Sequence, residues 1–228
     1  MGKIAHLRKV VAFETYWLMA HKDYKLYIVD DDANMRAALM REMRLAGFRS
    51  VTYASAEAFL ADCRVDEPAV LILDLRMPGM DGLALQRMLA ERGLRLPVIV
   101  ISGAADVASA VAAMRLGAID FIEKPFASRD LVERIEFAIL RHDESREREL
   151  RIRAAELRLA GLTATERRIL GLLSAGHSTK AIALRLGVSV RTVDSHRLSI
   201  KRKTRAKSLP ELIGLGMLGM PAAGGEAA

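Results

Sequence analysis

The sequence predicts an α/β domain with a doubly wound, five-stranded parallel sheet, followed by a small all-α helix-turn-helix domain. Short apolar runs alternate with helix-length stretches from about residue 25 to residue 141, an order typical of parallel sheets. After that region the strand pattern stops, and helical stretches joined by glycines follow. A chain of 228 residues is long enough to form two cores of ordinary size.

Five short runs of aliphatic, β-branched or aromatic residues are predicted to be the strands. They are residues 26–30, 51–53, 69–74, 98–102 and 121–123. The intervals between them have helix length and contain helix start or stop residues such as Gly47, Gly93, Asp106, Gly117 and Ser128. The predicted helices are residues 33–46, 55–63, 83–92, 107–116 and 128 onward.

Acidic residues end two of the predicted strands. Asp30, Asp31 and Asp32 follow the first strand, and Asp74 ends the third. Ligands of open parallel sheets bind beyond the carboxyl ends of the strands, so we expect these carboxylates to lie together. They would repel one another without a cation, and Mg²⁺ suits a site made of carboxylates, backbone carbonyls and waters. The sequence therefore predicts a magnesium site.

Two further strand ends add a hydroxyl and an ammonium group at the same edge. Ser102 ends the fourth strand and Lys124 follows the fifth, and both groups can bind phosphoryl oxygens. An EF-hand is excluded because residues 30–41 lack the required Gly and late Glu. A phosphatase of the haloacid dehalogenase type is excluded because Arg76 stands where a second Asp is needed. These groups predict a phosphoryl pocket.

The strand-end motifs resemble the receiver domain of two-component response regulators in order and spacing. The motifs are VDDD at 29–32, DLRMPGMDG at 74–82, SG at 102–103 and KPF at 124–126, and the resemblance covers residues 24–141. It implies a flavodoxin-like fold in which Asp74 is the nucleophile that accepts the phosphoryl group. It also implies that Asp31, Asp74 and the Arg76 carbonyl ligate Mg²⁺ and that Asp30 acts through water. The chain is expected to be a regulator, not an enzyme.

The resemblance also assigns the switch. Lys124 would pair with the phosphate, Ser102 would bond a phosphoryl oxygen and draw its loop inward, and Pro125 would follow a cis peptide bond. Phe121 stands where receivers keep a rotameric aromatic, although a core position is the alternative interpretation. Phosphorylation would then bias the surface formed by the fourth helix, fifth strand and fifth helix.

Residues 1–24 are expected to be an extension outside both domains. The apolar run at 10–20 is interrupted by Glu14 and is shorter than the roughly 18 residues that a membrane span needs. We therefore expect no membrane partner, and one hypothesis is that translation starts at Met19. The only cysteine, Cys63, cannot form an internal disulfide, so a cytoplasmic location is expected.

Residues 142–160 are predicted to be a helical linker. Glu144, Glu147 and Glu149 each precede an arginine by four residues, and each such pair favours helix by about 0.2–0.5 kcal/mol. A flexible tether is the alternative interpretation.

Residues 161–220 are predicted to form the second domain, with 221–228 as a tail. Thr163 and Glu166 form a capping box, and the glycines at 176 and 187 separate three helical stretches. The third stretch, residues 190–203, buries Val193 and Ile200 and carries five basic residues against one acid, Asp194. That excess, together with a net charge of +7, predicts contact with DNA phosphates.

This second domain resembles the LuxR/FixJ/NarL type of helix-turn-helix. The motifs are LTATER at 162–167, KAIA at 180–183, LGVS at 186–189, RTV at 191–193, His196 and AKSL at 206–209. The resemblance implies that the last helix, residues 209–218, is a dimer surface. Thr179 stands where this type commonly has Asn, which leaves open the local contact before the second helix. The implied base contacts are Thr192, Asp194, Ser195 and Leu198, and the implied phosphate contacts are Arg191, Arg197 and Lys201.

Both resemblances together imply a transcription regulator, and the motif GAIDFIEKPF at 117–126 is similar to the FixJ subgroup. A sensor histidine kinase would phosphorylate Asp74, and the resulting homodimer would bind a double-stranded DNA operator and act on RNA polymerase. Two alternatives remain open. One is a relay protein without specific DNA binding, and the other is a constitutive regulator whose receiver never turns over.

Overall fold

The computed structural model describes residues 24–62, 67–103 and 107–220. The chain divides into two units, Met1–Asp143 and Glu144–Ala228. The predicted extension, with the hypothetical start at Met19, and the tail at 221–228 lie outside the described residues, as do Cys63 and Asp106.

The first unit contains a five-stranded sheet in the order β2-β1-β3-β4-β5, and every neighbouring pair of strands is parallel. The predicted doubly wound α/β fold is therefore confirmed. Observed and predicted strands differ by at most two residues at either end. The strands are β1 Lys25–Val29, β2 Arg49–Tyr53, β3 Ala69–Asp74, β4 Val98–Ser102 and β5 Asp120–Glu123.

Helices connect these strands, and the last one of the unit begins at Ser128, a predicted start residue. Asp32 caps the first helix by accepting from the amides of Asn34 and Met35, and Asp81 caps the third. The helices of this unit are α1 Ala33–Leu45, α2 Ala56–Asp62, α3 Gly82–Glu91, α4 Val107–Arg115 and α5 Ser128–Leu159.

Alternating side chains of the sheet enter two hydrophobic layers, one on each face. Leu26 and Ile28 of β1 pack in one layer, whereas Tyr27 and Val29 pack in the other. This alternation follows from the two-residue repeat of a strand with both faces covered. Because all the strands run parallel, their polar carboxyl ends meet at one edge of the sheet.

Helix α5 continues beyond the receiver-like region and contains the boundary between the two units. Its extension carries an ion pair between Glu147 and Arg151, one of the predicted pairs four residues apart. The structure has helix over residues 142–159 of this segment.

The second unit adds four helices in the described residues: α6 Ala164–Ser174, α7 Thr179–Leu186, α8 Val190–Thr204 and α9 Leu209–Gly219. The predicted capping box is present, because Thr163 accepts from the Glu166 amide and Glu166 accepts from the Thr163 amide. Gly187 ends α7 with a φ of 66°, a conformation that favours glycine. Ile169, Ile182 and Val193 share the core of the unit. No helix in the described part of the chain is both long and apolar enough to cross a membrane.

Candidate functional site

Three carboxylates meet at the carboxyl edge of the sheet. Asp30, Asp31 and Asp74 each offer one oxygen, and these oxygens lie within 4.8 Å of one another. Asp30 is 0% exposed and Asp74 is 4% exposed, whereas Asp31 faces solvent. Three oxygen ligands this close form a donor set that fits a hard cation such as Mg²⁺.

Strand register brings these residues together. Val29 of β1 is paired with Leu73 of β3, so the residues after them leave the sheet at the same level. Asp32 is the exception to the predicted acidic cluster, because its carboxylate caps α1. Its amide instead donates to Asp30 Oδ1 at 2.8 Å, which orients the Asp30 carboxylate.

Lys124 joins two of the carboxylates. Its Nζ donates to Asp30 Oδ2 at 2.7 Å and to Asp74 Oδ1 at 3.1 Å. Burial raises the pKa of Asp74, an effect that the Lys124 hydrogen bond and charge oppose and the Asp30 charge reinforces. Burial alone would lower the pKa of Lys124, but its hydrogen bonds to Asp30 and Asp74 outweigh it, so the pKa is raised and Lys124 is charged.

A cleft of about 550 Å³ opens beside this cluster and is lined by Asp31, Arg76, Pro78 and Ser102, among others. Ser102 ends β4 and is 1% exposed. The Arg76 amide donates to Asp74 Oδ2 at 3.2 Å, so the backbone of Arg76 lies against the carboxylate. Ser102 and Arg76 therefore line the same cleft, next to the three carboxylates.

The two remaining receiver predictions concern β5 and the turn after it. Phe121 is half-buried and packs against the hydrophobic layer that contains Leu73 and Val100. This position fits a core side chain and also an aromatic that could change its burial. The Lys124–Pro125 peptide bond is cis, as predicted.

Three residues that shape the site have no predicted role in the sequence analysis. Gly82 lies close to the backbone of Asp74, and this glycine is the last residue of the motif at 74–82. Glu57 Oε1 accepts from the Met80 amide at 2.9 Å and holds the loop after β3. Arg36 Nη1 donates to the Asp30 carbonyl at 2.7 Å. No local pattern marks these last two contacts, because the partners are brought together only by the fold.

The second candidate site is the outer face of α8. Val193 and Ile200 are buried, as predicted, and Leu198 is 70% exposed. Arg197 is the one member of the predicted DNA-contact set that is half-buried. The other members are all exposed: Arg191, Thr192, Asp194, Ser195, Leu198 and Lys201.

Two of the basic residues on α8 have partners within the protein. Lys203 donates to Glu166 Oε2 at 2.7 Å. Arg197 donates to Asp194 Oδ1 and to Thr179 Oγ1, both at 3.0 Å. Thr179 therefore does make a contact at the start of α7. The positive charge available to a polyanion is smaller than the sequence indicated.

Comparison with known proteins agrees with both parts of this structure. The family model for the response regulator receiver domain matches residues 26–136. The model for bacterial regulatory proteins of the luxR family matches residues 160–215. Transcriptional regulatory protein FixJ of Rhizobium meliloti (strain 1021) is 42% identical over 201 residues, which cover 86% of this chain and 97% of that protein. Response regulator protein TmoT of Ectopseudomonas mendocina is 38% identical over 86% of this chain and 89% of that protein.

Solved structures of similar proteins extend over both units. Response regulator StyR is 35% identical, with a TM-score of 0.67, and the match covers 85% of this chain and 98% of that one. Full-length FixJ from B. japonicum is 36% identical, with a TM-score of 0.55, and the match covers 85% of this chain and 95% of that one. The chain belongs to the FixJ family of response regulators, in which a receiver domain precedes a LuxR-type helix-turn-helix domain.

Proposed function

We propose that a sensor histidine kinase phosphorylates Asp74 and that the phosphorylated chain dimerises, binds operator DNA and regulates transcription. The proposal rests above all on Asp74, a buried carboxylate beside Asp31 and Lys124 next to an open cleft. Such a carboxylate is shielded from bulk water yet remains accessible to a phosphodonor. The partners would be the kinase, DNA and RNA polymerase, and the chain would act in the cytoplasm.

Asp31, Asp74 and the Arg76 carbonyl would hold Mg²⁺, with Asp30 bound through water. When bound, the ion neutralises charge on phosphoryl oxygens. An oxygen of Asp74 attacks the phosphorus of a phosphohistidine, the P–N bond breaks, and the imidazole leaves with a proton from solvent. The product is an acyl phosphate that water hydrolyses, so the signal ends by itself.

Lys124 and Ser102 would read the new phosphoryl group. Because Lys124 Nζ already lies 3.1 Å from Asp74 Oδ1, it can pair with a phosphoryl oxygen without a large movement. Ser102 would donate its hydroxyl to another phosphoryl oxygen and draw the following loop inward. Phe121, half-buried on the neighbouring strand, would then change its packing and carry the signal to the surface.

The surface for receiver dimerisation would include α4. Val107, Val111 and Met114 lie on one face of this helix and are 80%, 43% and 46% exposed. An apolar face exposed on a folded domain is typical of an interaction site. Pairing two receivers there would raise the local concentration of the two DNA-binding units on a two-half-site operator.

The recognition helix would be α8. Thr192, Asp194, Ser195 and Leu198 would face base edges in the major groove. Arg191 and Lys201 are exposed and would contact phosphates.

The test uses the full-length chain with acetyl phosphate and Mg²⁺. We expect the wild type to gain one phosphoryl group by mass, to dimerise on a sizing column and to protect DNA in a footprint. Asp74→Asn should do none of these, whereas Asp130→Asn, which removes an exposed carboxylate at the start of α5, should behave as wild type.

The two alternatives give different results in the same experiment. Phosphorylation without any sequence preference in the footprint would indicate a relay protein. An identical footprint for wild type and Asp74→Asn would indicate a constitutive regulator. Either result would contradict the proposal.

A further inference from the structure

Arg197 lies between the two helices of the helix-turn-helix and bonds to both. One nitrogen, Nη1, donates to Thr179 Oγ1 at the start of α7 and to Asp194 Oδ1 one turn earlier on α8, each at 3.0 Å. The side chain of Arg197 is 30% exposed and that of Asp194 is 52% exposed. Arg197 therefore connects the half-buried Thr179 of α7 with Asp194, an exposed acid on the proposed recognition helix.

The guanidinium group is turned toward the protein. Its Nε is buried and has no hydrogen-bond partner among the described residues. Arginine binds a phosphate best through two parallel N–H groups, and here one of those groups is buried and another nitrogen already holds two oxygens. Arg197 is thus poorly placed for the phosphate contact that the sequence indicates. Lys201 is exposed and makes no ion pair in the described residues.

Asp194 gains two properties from this contact. Arg197 holds the carboxylate in one orientation by donating to Oδ1, and within the described residues it is the only hydrogen-bond donor to Asp194. The positive charge of Arg197 also offsets the repulsion that an unpaired carboxylate would meet near DNA phosphates. Asp194 can therefore approach DNA with its second oxygen still able to accept a hydrogen bond.

Among the groups at the edges of base pairs in the major groove, a carboxylate pairs with the N4 amino group of cytosine. We propose that Arg197 is a positioning residue that holds Asp194 to recognise a cytosine in each operator half-site. The inference rests on the proposed DNA binding and adds to it the identity of one base. Thr179 anchors the far end of the arrangement.

The experiment selects binding sites from a random duplex library with the full-length chain, treated with acetyl phosphate and Mg²⁺. The selected sequence is then changed one base pair at a time, and binding is measured by fluorescence anisotropy for wild type, Asp194→Asn, Arg197→Gln and the double variant. We expect wild type to prefer cytosine at one position per half-site. Both single variants should lose about fivefold or more of that preference at the same position.

The double variant separates positioning from phosphate contact, because Asp194→Asn with Arg197→Gln leaves the net charge unchanged. It should lose no more of the base preference than either single variant, since both changes remove one arrangement. Its salt dependence of binding should equal that of wild type. Lys201→Gln is the matched control. It should keep the base preference, and the magnitude of the slope of log K against log salt should fall by about 0.9.

Several results would overturn the inference. A preference unchanged in Asp194→Asn would show that Asp194 does not read the base. A double variant whose salt slope falls by about 0.9 would show that Arg197 contacts a phosphate. A wild type that selects no sequence at all would remove the proposed function and this inference together, whereas selection with no cytosine dependence removes the inference alone.

A fold defect is tested separately. Thr179→Val cuts the anchor of Arg197 without touching charge or the DNA-facing side chains, and it should reduce the same cytosine preference. Unchanged thermal unfolding of each variant would show that the unit remains folded. If the Thr179→Val variant keeps the cytosine preference of wild type, the positioning role of Arg197 is contradicted.

Discussion

Gly82 leaves no space for a side chain beside the carbonyl oxygen of Asp74. A Cβ atom at Gly82 would lie 2.5 Å from that oxygen and 2.9 Å from the Cα of Leu75. The Gly82 amide also donates to the Leu75 carbonyl at 3.0 Å. Because the nearest atoms are backbone, they cannot rotate away, and the first turn of α3 fixes the end of the strand that carries Asp74, the proposed phosphoacceptor.

Gly82→Ala should therefore damage both stability and phosphorylation. The added methyl must displace backbone, which we expect to lower the free energy of unfolding by about 1–3 kcal/mol and to slow the reaction with acetyl phosphate. Urea unfolding and the rate of mass gain measure the two effects. Gly161→Ala, where a Cβ meets no heavy atom within 4 Å, is the control. Wild-type behaviour of Gly82→Ala would show that the backbone adjusts without cost.

Removing Lys124 should strengthen Mg²⁺ binding. Its ammonium group bonds to Asp30 and Asp74, so it competes with a cation for the same carboxylates. Lys124→Met should bind Mg²⁺ on the order of tenfold more tightly, equivalent to about 1.4 kcal/mol, while losing phosphorylation-dependent dimerisation. Calorimetric titration measures the affinity. Lys180→Met makes the same charge change on the exposed start of α7, and equal affinities of the two variants would contradict the competition.

Glu166 should make the stability of the second unit depend on acid pH. The hydrogen bond from Lys203, followed by that from the Thr163 amide, lowers the pKa of this buried carboxyl from 4.5 to about 2. Because the folded pKa lies below the ordinary value, its contribution is fully present above pH 4.5 and is lost as the pH falls toward 2.

Glu166→Gln should destabilise the chain by about 2 kcal/mol at neutral pH. The difference from wild type should shrink as the pH falls below 4.5. Thermal unfolding over a series of pH values measures it. A difference that is constant across the acid range would show that the carboxylate charge contributes nothing.

The sequence was sufficient to predict the sheet and the acidic edge. The strands are buried on both faces and therefore form continuous apolar runs, and in a parallel sheet their carboxyl ends meet at one edge. Asp30, Asp74, Ser102 and Lys124 could be placed together on that ground alone.

Contacts between helices were not accessible to the same reasoning. Asp32 looked like a further metal-site carboxylate, because an acid between a strand and the next helix can serve either as a ligand or as a helix cap. Lys203 and Arg197 looked free for DNA because spacing on α8 shows which face they share. It does not show that Glu166 on α6 and Thr179 on α7 approach that face.

Tyr24 should hold the beginning of the helical linker. It is 3% exposed and its hydroxyl donates to Asp143 Oδ1 at 2.7 Å. The Tyr24 hydroxyl oxygen also lies 2.8 Å from His142 Nδ1. Tyr24→Phe should cost about 2 kcal/mol of stability and expose Arg141 to faster trypsin cleavage. The control is Tyr53→Phe, which removes a hydroxyl that donates to the exposed Asp62. Equal cleavage rates would argue against an anchoring role.

The exposed face of α4 should be required for phosphorylation-dependent dimerisation. Val111 is 43% exposed in the middle of that face, so Val111→Asp should change stability by less than about 0.5 kcal/mol while placing a charge where two receivers would meet. We expect the variant to accept phosphate from acetyl phosphate as wild type does and to remain monomeric in sedimentation velocity. Leu45→Asp places the same charge at a residue that is 83% exposed on α1, and it should still dimerise. Dimers of Val111→Asp at wild-type affinity would exclude α4 from the interface, and loss of dimers in both variants would point to a general effect of charge.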